Sequence, residues 1–458
     1  MLDNNSKKHY IAIIGGSISG SEAAFILAEK GFRVVVFEMN DLPYGKIEDG
    51  LPKWHVNLRN KQEKSIDQKL DHPNIRYVPK VKIGKDISFD DLVNHWGFTV
   101  IILANGAWKD RDLPVDNINK FINNGLIYQN ALVHWYNHRH EPDYHGNIYE
   151  IKDGTVVIGG GLSSLDVMKL GMIEIVQKAL LEIKGVDIDL FTFEKKGILN
   201  ILNEHQLSLR DLNLKGMTLV YRRNASDMPL KSAKDGSEES IQKARMVSEK
   251  LLRKYAENFM FDFIPLSSPM DKIEKNGKLH AVVFCKNKIV NQKLIPDKEN
   301  TFIMETPVLI SSIGSLPEKI NGLPYEYSKL KMKNDNGYRV DGFSNVFAIG
   351  NAVTGKGNIR ESKKHGSLMT KKIIEEHLGQ EDLLEEWLVN YNKNIKTKVQ
   401  EQIKEIESEI NSKSIMPDDV IQNILNKTKS LQYRVAYSTY ENWIKLKTPV
   451  RLEDMLNK

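Results

Sequence analysis

Residues 10–20 read Tyr10-Ile11-Ala12-Ile13-Ile14-Gly15-Gly16-Ser17-Ile18-Ser19-Gly20, and this stretch decides the fold. An apolar, β-rich run ends abruptly in glycines, a helical segment continues to Lys30, and a second strand runs from Arg33 to Phe37. Strand, glycine turn, helix and strand in that order make a βαβ unit of a parallel sheet. Gly15 supplies the tight turn, and Gly20 lets the helix close on the strand. The free N–H groups of Ile18, Ser19 and their neighbours, together with the positive end of the helix dipole, suit a pyrophosphate. Ser17 stands where a middle glycine is usual; it is small, and its hydroxyl can donate to phosphate. Glu38 closes the second strand 18 residues beyond Gly20. Its carboxylate can accept both hydroxyls of a ribose and repels a 2′-phosphate, which suits FAD or NAD. A glycine turn built for packing alone does not call for an acid at that register.

The pattern restarts near Thr155. A strand, Val156–Ile158, runs into Gly159-Gly160-Gly161-Leu162-Ser163-Ser164, with a helix expected from Leu162. Ser164 takes the third glycine's place. The next relevant strand, Met217 to Tyr221, ends in Arg222-Arg223 where the first unit ends in Glu38. Paired guanidiniums offer the fixed charge and bidentate donors that the 2′-phosphate of NADP(H) requires; two surface arginines at a strand edge are the plainer reading. About 60 residues lie between the glycines and the arginines, against a usual spacing of about 20, so an insertion over 170–215 is expected.

Composition narrows the remaining choices. The chain has 458 residues, 41% hydrophobic and 27% charged, which fits more than one globular unit. Its 65 basic and 60 acidic residues leave a net charge of +5, with no dense basic block interleaved with aromatics, so nucleic acid is a poor partner. A single cysteine, Cys285, excludes a disulfide framework and a thiolate-held iron–sulfur cluster, and no metal centre is expected. No apolar run approaches the ~20 residues that span a bilayer and no leader pattern is visible, so the expected location is cytoplasmic. Asp41 to Pro79 reads as loop-rich, and Met217 to Ile313 as strands and turns, with a hairpin at Asn276-Gly277. Ile395, Val399, Ile403, Ile406 and Ile410 recur every three to four residues on a charged helix. That stripe either packs on its own domain or docks a partner.

These residues together resemble the adrenodoxin-reductase-like, FAD-dependent ferredoxin–NADP reductases, which are related to the small subunit of glutamate synthase. The likeness continues through Leu42-Pro43-Tyr44-Gly45 and Gly50-Leu51-Pro52-Lys53-Trp54-His55, similar to a Pro-aromatic-Gly loop and a following loop with a histidine near the flavin. It includes Ile101 to Ala107 with Gly106, the crossing between domains, and Tyr221-Arg222-Arg223. Gly350-Asn351-Ala352-Val353-Thr354-Gly355-Lys356-Gly357-Asn358-Ile359 resembles the segment that returns to the flavin, and Trp443 to Leu456 a C-terminal wrap. Lys356 and Asn358 depart from the family's usual return segment, and Arg360, Lys363, Lys364 and His365 follow as a basic cluster that either receives an acidic protein or caps a helix.

The resemblance implies FAD and NADP(H) as cofactors, hydride transfer from nicotinamide to flavin, and onward release of electrons to a ferredoxin or another acidic carrier. His55 is the catalytic candidate, tuning the nicotinamide–flavin contact. Alternatives are reduction of a small molecule such as a quinone, a subunit of a larger electron-transfer complex, and a redox-sensing binder without turnover. The expected fold is α/β: two Rossmann-like dinucleotide-binding domains, the FAD domain discontinuous, with a helical C-terminal extension. Expected boundaries are 1–110 and 336–380 for the FAD domain, 111–335 for the NADP domain, and 381–458 for the extension. The oligomeric state is not legible.

Overall fold

The computed structural model describes residues 9–231, 233, 235–291, 293–326, 329–333, 338–350 and 380–456. Its centre is two five-stranded sheets of parallel strands. The first runs in the order Val346–Ala348, Val100–Leu103, Tyr10–Ile14, Arg33–Phe37, Ile75–Val78. The second runs Leu126–Tyr128, Leu309–Ser312, Val156–Gly159, Thr218–Val220, Asp262–Ile264. In both, the strand that carries the glycine turn lies in the middle, and the next two strands of its unit follow on one side. The two-unit α/β fold expected from the sequence is therefore the observed one.

Alternation explains how the first sheet is buried on both faces. Ile11, Ile13, Val34, Val36, Val100 and Ile102 pack toward the helix Ile18–Glu29, while Ala12, Ile14, Val35, Phe37, Ile101 and Leu103 pack toward Trp96, Phe98 and the helix Asp418–Arg434. Side chains two apart point the same way, so a sheet covered on both sides needs apolar residues at every position. The second sheet is covered by the helix Leu162–Ala179 and its neighbours on one face. A three-stranded antiparallel sheet, Ser267–Lys275, Lys278–Val290 and Lys293–Glu305, helps to cover the other through Leu279, Val282 and Phe284. Its first hairpin turns at Asn276-Gly277, with φ of 54° and 76°, as the dipeptide predicts.

Two expectations need correction. The stretch 41–79 is not mainly loop: it contains the 15-residue helix Val56–Leu70 before its strand. Its buried face mixes Leu58, Ile66 and Leu70 with Arg59 and Gln62, so its apolar periodicity is diluted. The region 217–313 is not all strand and turn, because Glu238–Phe259 is a helix of 22 residues. Ser237 caps it by accepting from the Ser240 N–H, and Leu251, Leu252, Tyr255 and Phe259 form its buried stripe.

The delay between Gly161 and Arg222 also has a physical explanation. Beyond the helix Leu162–Ala179, the chain adds the short helices Leu190–Lys196 and Ile198–Glu204 before it re-enters the sheet at Thr218. Phe193, Ile198, Ile201 and Leu202 are buried in the same core as Leu252 and Phe259. The extra residues thus thicken the helical layer, and Thr218–Val220 still pairs with Val156–Ile158 in parallel.

The C-terminal stripe packs on its own fold. Val399, Ile403, Ile406 and Ile410 of the helix Gln380–Asn411 are fully buried with Ala23, Ala24, Leu27 and Ala28. A Lys30–Glu407 ion pair flanks the contact. Among the described residues no helix is long and apolar enough to cross a membrane.

Candidate functional site

The carboxyl ends of both parallel sheets open onto one cleft of about 1510 Å³. Ile14 and Phe37 line it from the first sheet, and Ile158, Val220 and Ser312 from the second. Ligands of open α/β sheets bind at this edge, where loops are free to diverge and helix N-termini point inward.

In the first unit, Gly15 has φ of +100°, and its N–H donates to the Phe37 carbonyl at 2.8 Å. A Cβ on Gly20 would collide with the Gly15 carbonyl, so only glycine lets this helix start so close to its strand. Glu38 is 5% exposed but lines the cleft. Its Oε2 accepts from the Gly16 N–H at 2.8 Å and its Oε1 from the Asn40 N–H at 3.0 Å. Burial pushes its carboxyl up to about 7 in spite of those two donors. The Ser17 hydroxyl donates to the Tyr44 carbonyl at 3.0 Å. It thereby ties the glycine turn to the loop at Gly45, whose φ is +57°.

In the second unit, Ser164 is fully buried. Its hydroxyl donates to the Ser312 carbonyl and accepts from the Gly161 N–H, both at 3.2 Å. The third glycine's absence is thus offset by hydrogen bonds that hold the helix between two strands. Gly160 is needed for another reason, since a Cβ there would run into the Tyr221 ring. Arg222 is exposed and Arg223 half-buried, and both line the cleft. Their turn is pinned through the backbone: the Arg222 carbonyl accepts from Asn287 Nδ2 at 2.9 Å, and that of Arg223 from the Leu266 N–H at 3.1 Å.

Gly15, Ser17, Ile18, Ser19, Glu38, Gly45, Gly106, Gly159, Gly161, Leu162, Ser163, Arg222 and Arg223 therefore share one cleft. Gly20 and Ser164 shape it from behind, and Gly350 (φ +62°) lies against Ser19 at the start of the first helix. Asn351, Gly357, Asn358 and Ile359, with the basic cluster from Arg360 to His365, fall outside the described residues.

His55 does not itself line the cleft. It is buried behind Asp166, which does, with Nε2 3.9 Å from Asp166 Oδ1 and accepting from the Trp54 indole N–H at 2.9 Å. Behind Trp54, Lys169 places Nζ 4.6 Å from the ring centroid and pairs with Glu194 at 2.5 Å, both fully enclosed. A buried ion pair of this kind holds its neighbours in one arrangement, because breaking it strands a charge.

Several lining residues escape the sequence reading. Lys46 reaches across the cleft, donating to Asn130 Oδ1 at 3.1 Å and Ser315 Oγ at 3.0 Å, and Asn130 donates to the Trp108 carbonyl at 2.9 Å. Ser315–Leu316 pairs antiparallel with Lys109–Asp110, so the two passages between the units are joined here. The available signal was Leu309-Ile310-Ser311-Ser312-Ile313-Gly314, a strand ending in glycine at a sheet's carboxyl edge.

Residues 13–51 match the family model of an NAD(P)-binding Rossmann-like domain. A probable ferredoxin/ferredoxin–NADP reductase of Mycobacterium leprae is 32% identical over 162 residues, 35% of this chain and 28% of that protein. The mitochondrial NADPH:adrenodoxin oxidoreductase of Arabidopsis thaliana is 26% identical over 172 residues, 36% and 34% of the two chains. The chain is similar to these two reductases over that third of its length. A glutamate synthase [NADPH] small chain of Mycobacterium tuberculosis is 28% identical over 169 residues, covering 34% of this chain and 32% of that one. The chain matches about a third of the length of these curated relatives. The likeness of fold runs much further. FprA, an oxidoreductase of Mycobacterium tuberculosis, superposes with a TM-score of 0.65 at 19% identity, over 93% of this chain and 90% of its own. FprA in complex with NADPH gives 0.64 at 20% identity, with the same shares covered.

Proposed function

We propose that this chain is an NADPH-dependent flavoprotein oxidoreductase that passes electrons to a ferredoxin-like one-electron carrier. One observation carries the reading: two dinucleotide turns of opposite ribose preference, an acid in one and paired arginines in the other, open onto the same cleft. The relatives whose names specify ferredoxin–NADP and adrenodoxin reduction support the choice of acceptor.

The residues fit both groups. For FAD, Gly15 and the N–H groups at the start of Ile18–Glu29 would face the pyrophosphate, and Glu38 would accept the ribose hydroxyls. For NADPH, Gly159 to Ser163 would take the pyrophosphate, and Arg222 and Arg223 the 2′-phosphate. When bound, the two groups supply a hydride donor and an acceptor that can release electrons singly. The chain's own work is then positional. The Lys46–Asn130–Ser315 bridge sets the spacing of the two units, and the enclosed Trp54, Lys169 and Glu194 hold His55 against Asp166. In this arrangement His55 is a positioning residue acting through Asp166.

The test is anaerobic titration of the purified, flavin-loaded protein with NADPH. Loss of the yellow flavin band, faster with NADPH than with NADH, is expected; no bleaching defeats the oxidoreductase reading. Cytochrome c reduction that rises when a low-potential ferredoxin is added supports the carrier, whereas rapid ferredoxin-independent quinone reduction points to a small-molecule acceptor.

A further inference from the structure

A second group of ligating side chains lies outside the residues that line the cleft. His134 and His138 stand one turn apart on the helix Gln129–His138 and therefore share a face. Their ring centroids are 4.6 Å apart. Asp49, at the end of the short helix Lys46–Asp49, approaches them from the first unit's loop. One ligand atom from each of Asp49, His134 and His138 lies within 4.8 Å of the other two. His138 Nε2 is 3.1 Å from Asp49 Oδ1, and its Nδ1 is 2.7 Å from Glu141 Oε1. Asn137 donates from Nδ2 to the Glu48 and Leu51 carbonyls, each at 2.9 Å, so the loop and the helix are already held in register.

We propose that Asp49, His134 and His138 form a binding site for one divalent transition-metal ion of the zinc type. Two imidazoles and a carboxylate are the donor set such an ion favours. Ligand atoms bonded at about 2.0–2.1 Å to a tetrahedral ion sit a little over 3 Å apart, which is close to the Nε2–Oδ1 separation found. Glu141 supplies the outer carboxylate: by accepting from Nδ1–H it fixes the ring and leaves Nε2 for the ion. His134 is exposed, giving a path of entry and a face open to water for a fourth ligand. Without an ion, His138 bridges Asp49 and Glu141, and His134 packs its ring on those of His138 and Tyr144. The bound ion would tie the loop that carries cleft-lining Gly45 and Lys46 to the helix beginning at Gln129, and so stiffen the contact between the two units.

The experiment is calorimetric titration of tag-free full-length protein with Zn²⁺, repeated with Co²⁺ to read the visible absorption of a tetrahedral site. The expected result is one equivalent bound with Kd below about 10 µM. His134→Ala and Asp49→Asn should abolish that event, and Glu141→Gln should weaken it by about 10–100-fold. His134 is exposed, so an unchanged melting curve for its variant separates loss of a ligand from loss of fold. No saturable binding by the parent, or equal binding by the parent and His134→Ala, overturns the proposal.

Discussion

At the scale of single residues, Glu38 carries opposite demands. Burial raises its carboxyl to about 7, so below that pH the fold favours the protonated acid. The corresponding stability is present in full below the unfolded value near 4.5 and is lost as pH rises through 7, a difference of about 3 kcal/mol. Glu38→Gln has no such loss. Apoprotein unfolding in urea should give the variant and parent similar stability near pH 4 and favour the variant by up to about 3 kcal/mol near pH 8. A gap that does not change with pH would contradict the assignment. Flavin binding should move the other way, weakening about 10–100-fold when a charged acceptor is lost. The arginines make the complementary case: Arg222→Ala with Arg223→Ala should raise KM for NADPH by about 100-fold or more and leave KM for NADH nearly unchanged. Equal effects on both would remove the 2′-phosphate role. The positions of all three were legible because each lies within three residues of the end of a strand that the sequence marks. Ser17 and His55 were less so, since Ser17's hydroxyl faces the Tyr44 carbonyl and His55 lies behind Asp166, contacts made across the chain.

At the scale of elements, what was legible was what is local. The strands at Tyr10 and Arg33, the helix after Ser17 and the Asn276-Gly277 hairpin each carry their signal within a dozen residues. The helix Val56–Leu70 did not, because buried Arg59 and Gln62 occupy its inner face; Arg59 is paired there with Glu63 and Glu453. The stripe on Gln380–Asn411 had the right period but two destinations, and only packing against Ala23, Ala24, Leu27 and Ala28 decides between them. A fully enclosed Ile403 should therefore matter to stability. Ile403→Ala removes buried methyl groups from a small-residue seam that cannot easily close, at a cost of about 2–5 kcal/mol. Urea unfolding followed by helical circular dichroism should show an early transition in the variant. A shift no larger than that of an exposed control such as Glu401→Ala would mean that the helix contributes little to the fold.

At the scale of the whole molecule, the site is assembled from segments far apart in sequence, and this is why most of its wall was not legible. Trp108, Asn130 and Ser315 meet Lys46 only because the carboxyl ends of two sheets, each with its own local signature, face one cleft. The chain's last segment is drawn into the same assembly. Trp443 donates to the Asp41 carbonyl at 2.7 Å, and Arg451 grips Glu48 at 2.5 and 2.6 Å and Glu63 at 3.0 and 3.1 Å. Burial works against an ionised Glu48, yet the Arg451 guanidinium keeps it well below the usual carboxylate range; burial and the hydrogen bond that it donates to Glu48 push Glu63 up, so the pair shares one proton at neutral pH. Glu48 belongs to the turn that follows Gly45 and precedes Gly50, both on the cleft wall. Arg451→Met would leave Glu48 charged and unpaired in an enclosed site, a loss of about 3–5 kcal/mol. Adding Glu48→Gln should recover much of it, because the stranded charge is then gone. Hydrogen exchange should show 45–51 and 450–456 opening together in the single variant, with weaker flavin retention, and closing again in the double. If the single variant unfolds like the parent, or the second substitution makes it worse, the clasp does not hold the cleft wall in place.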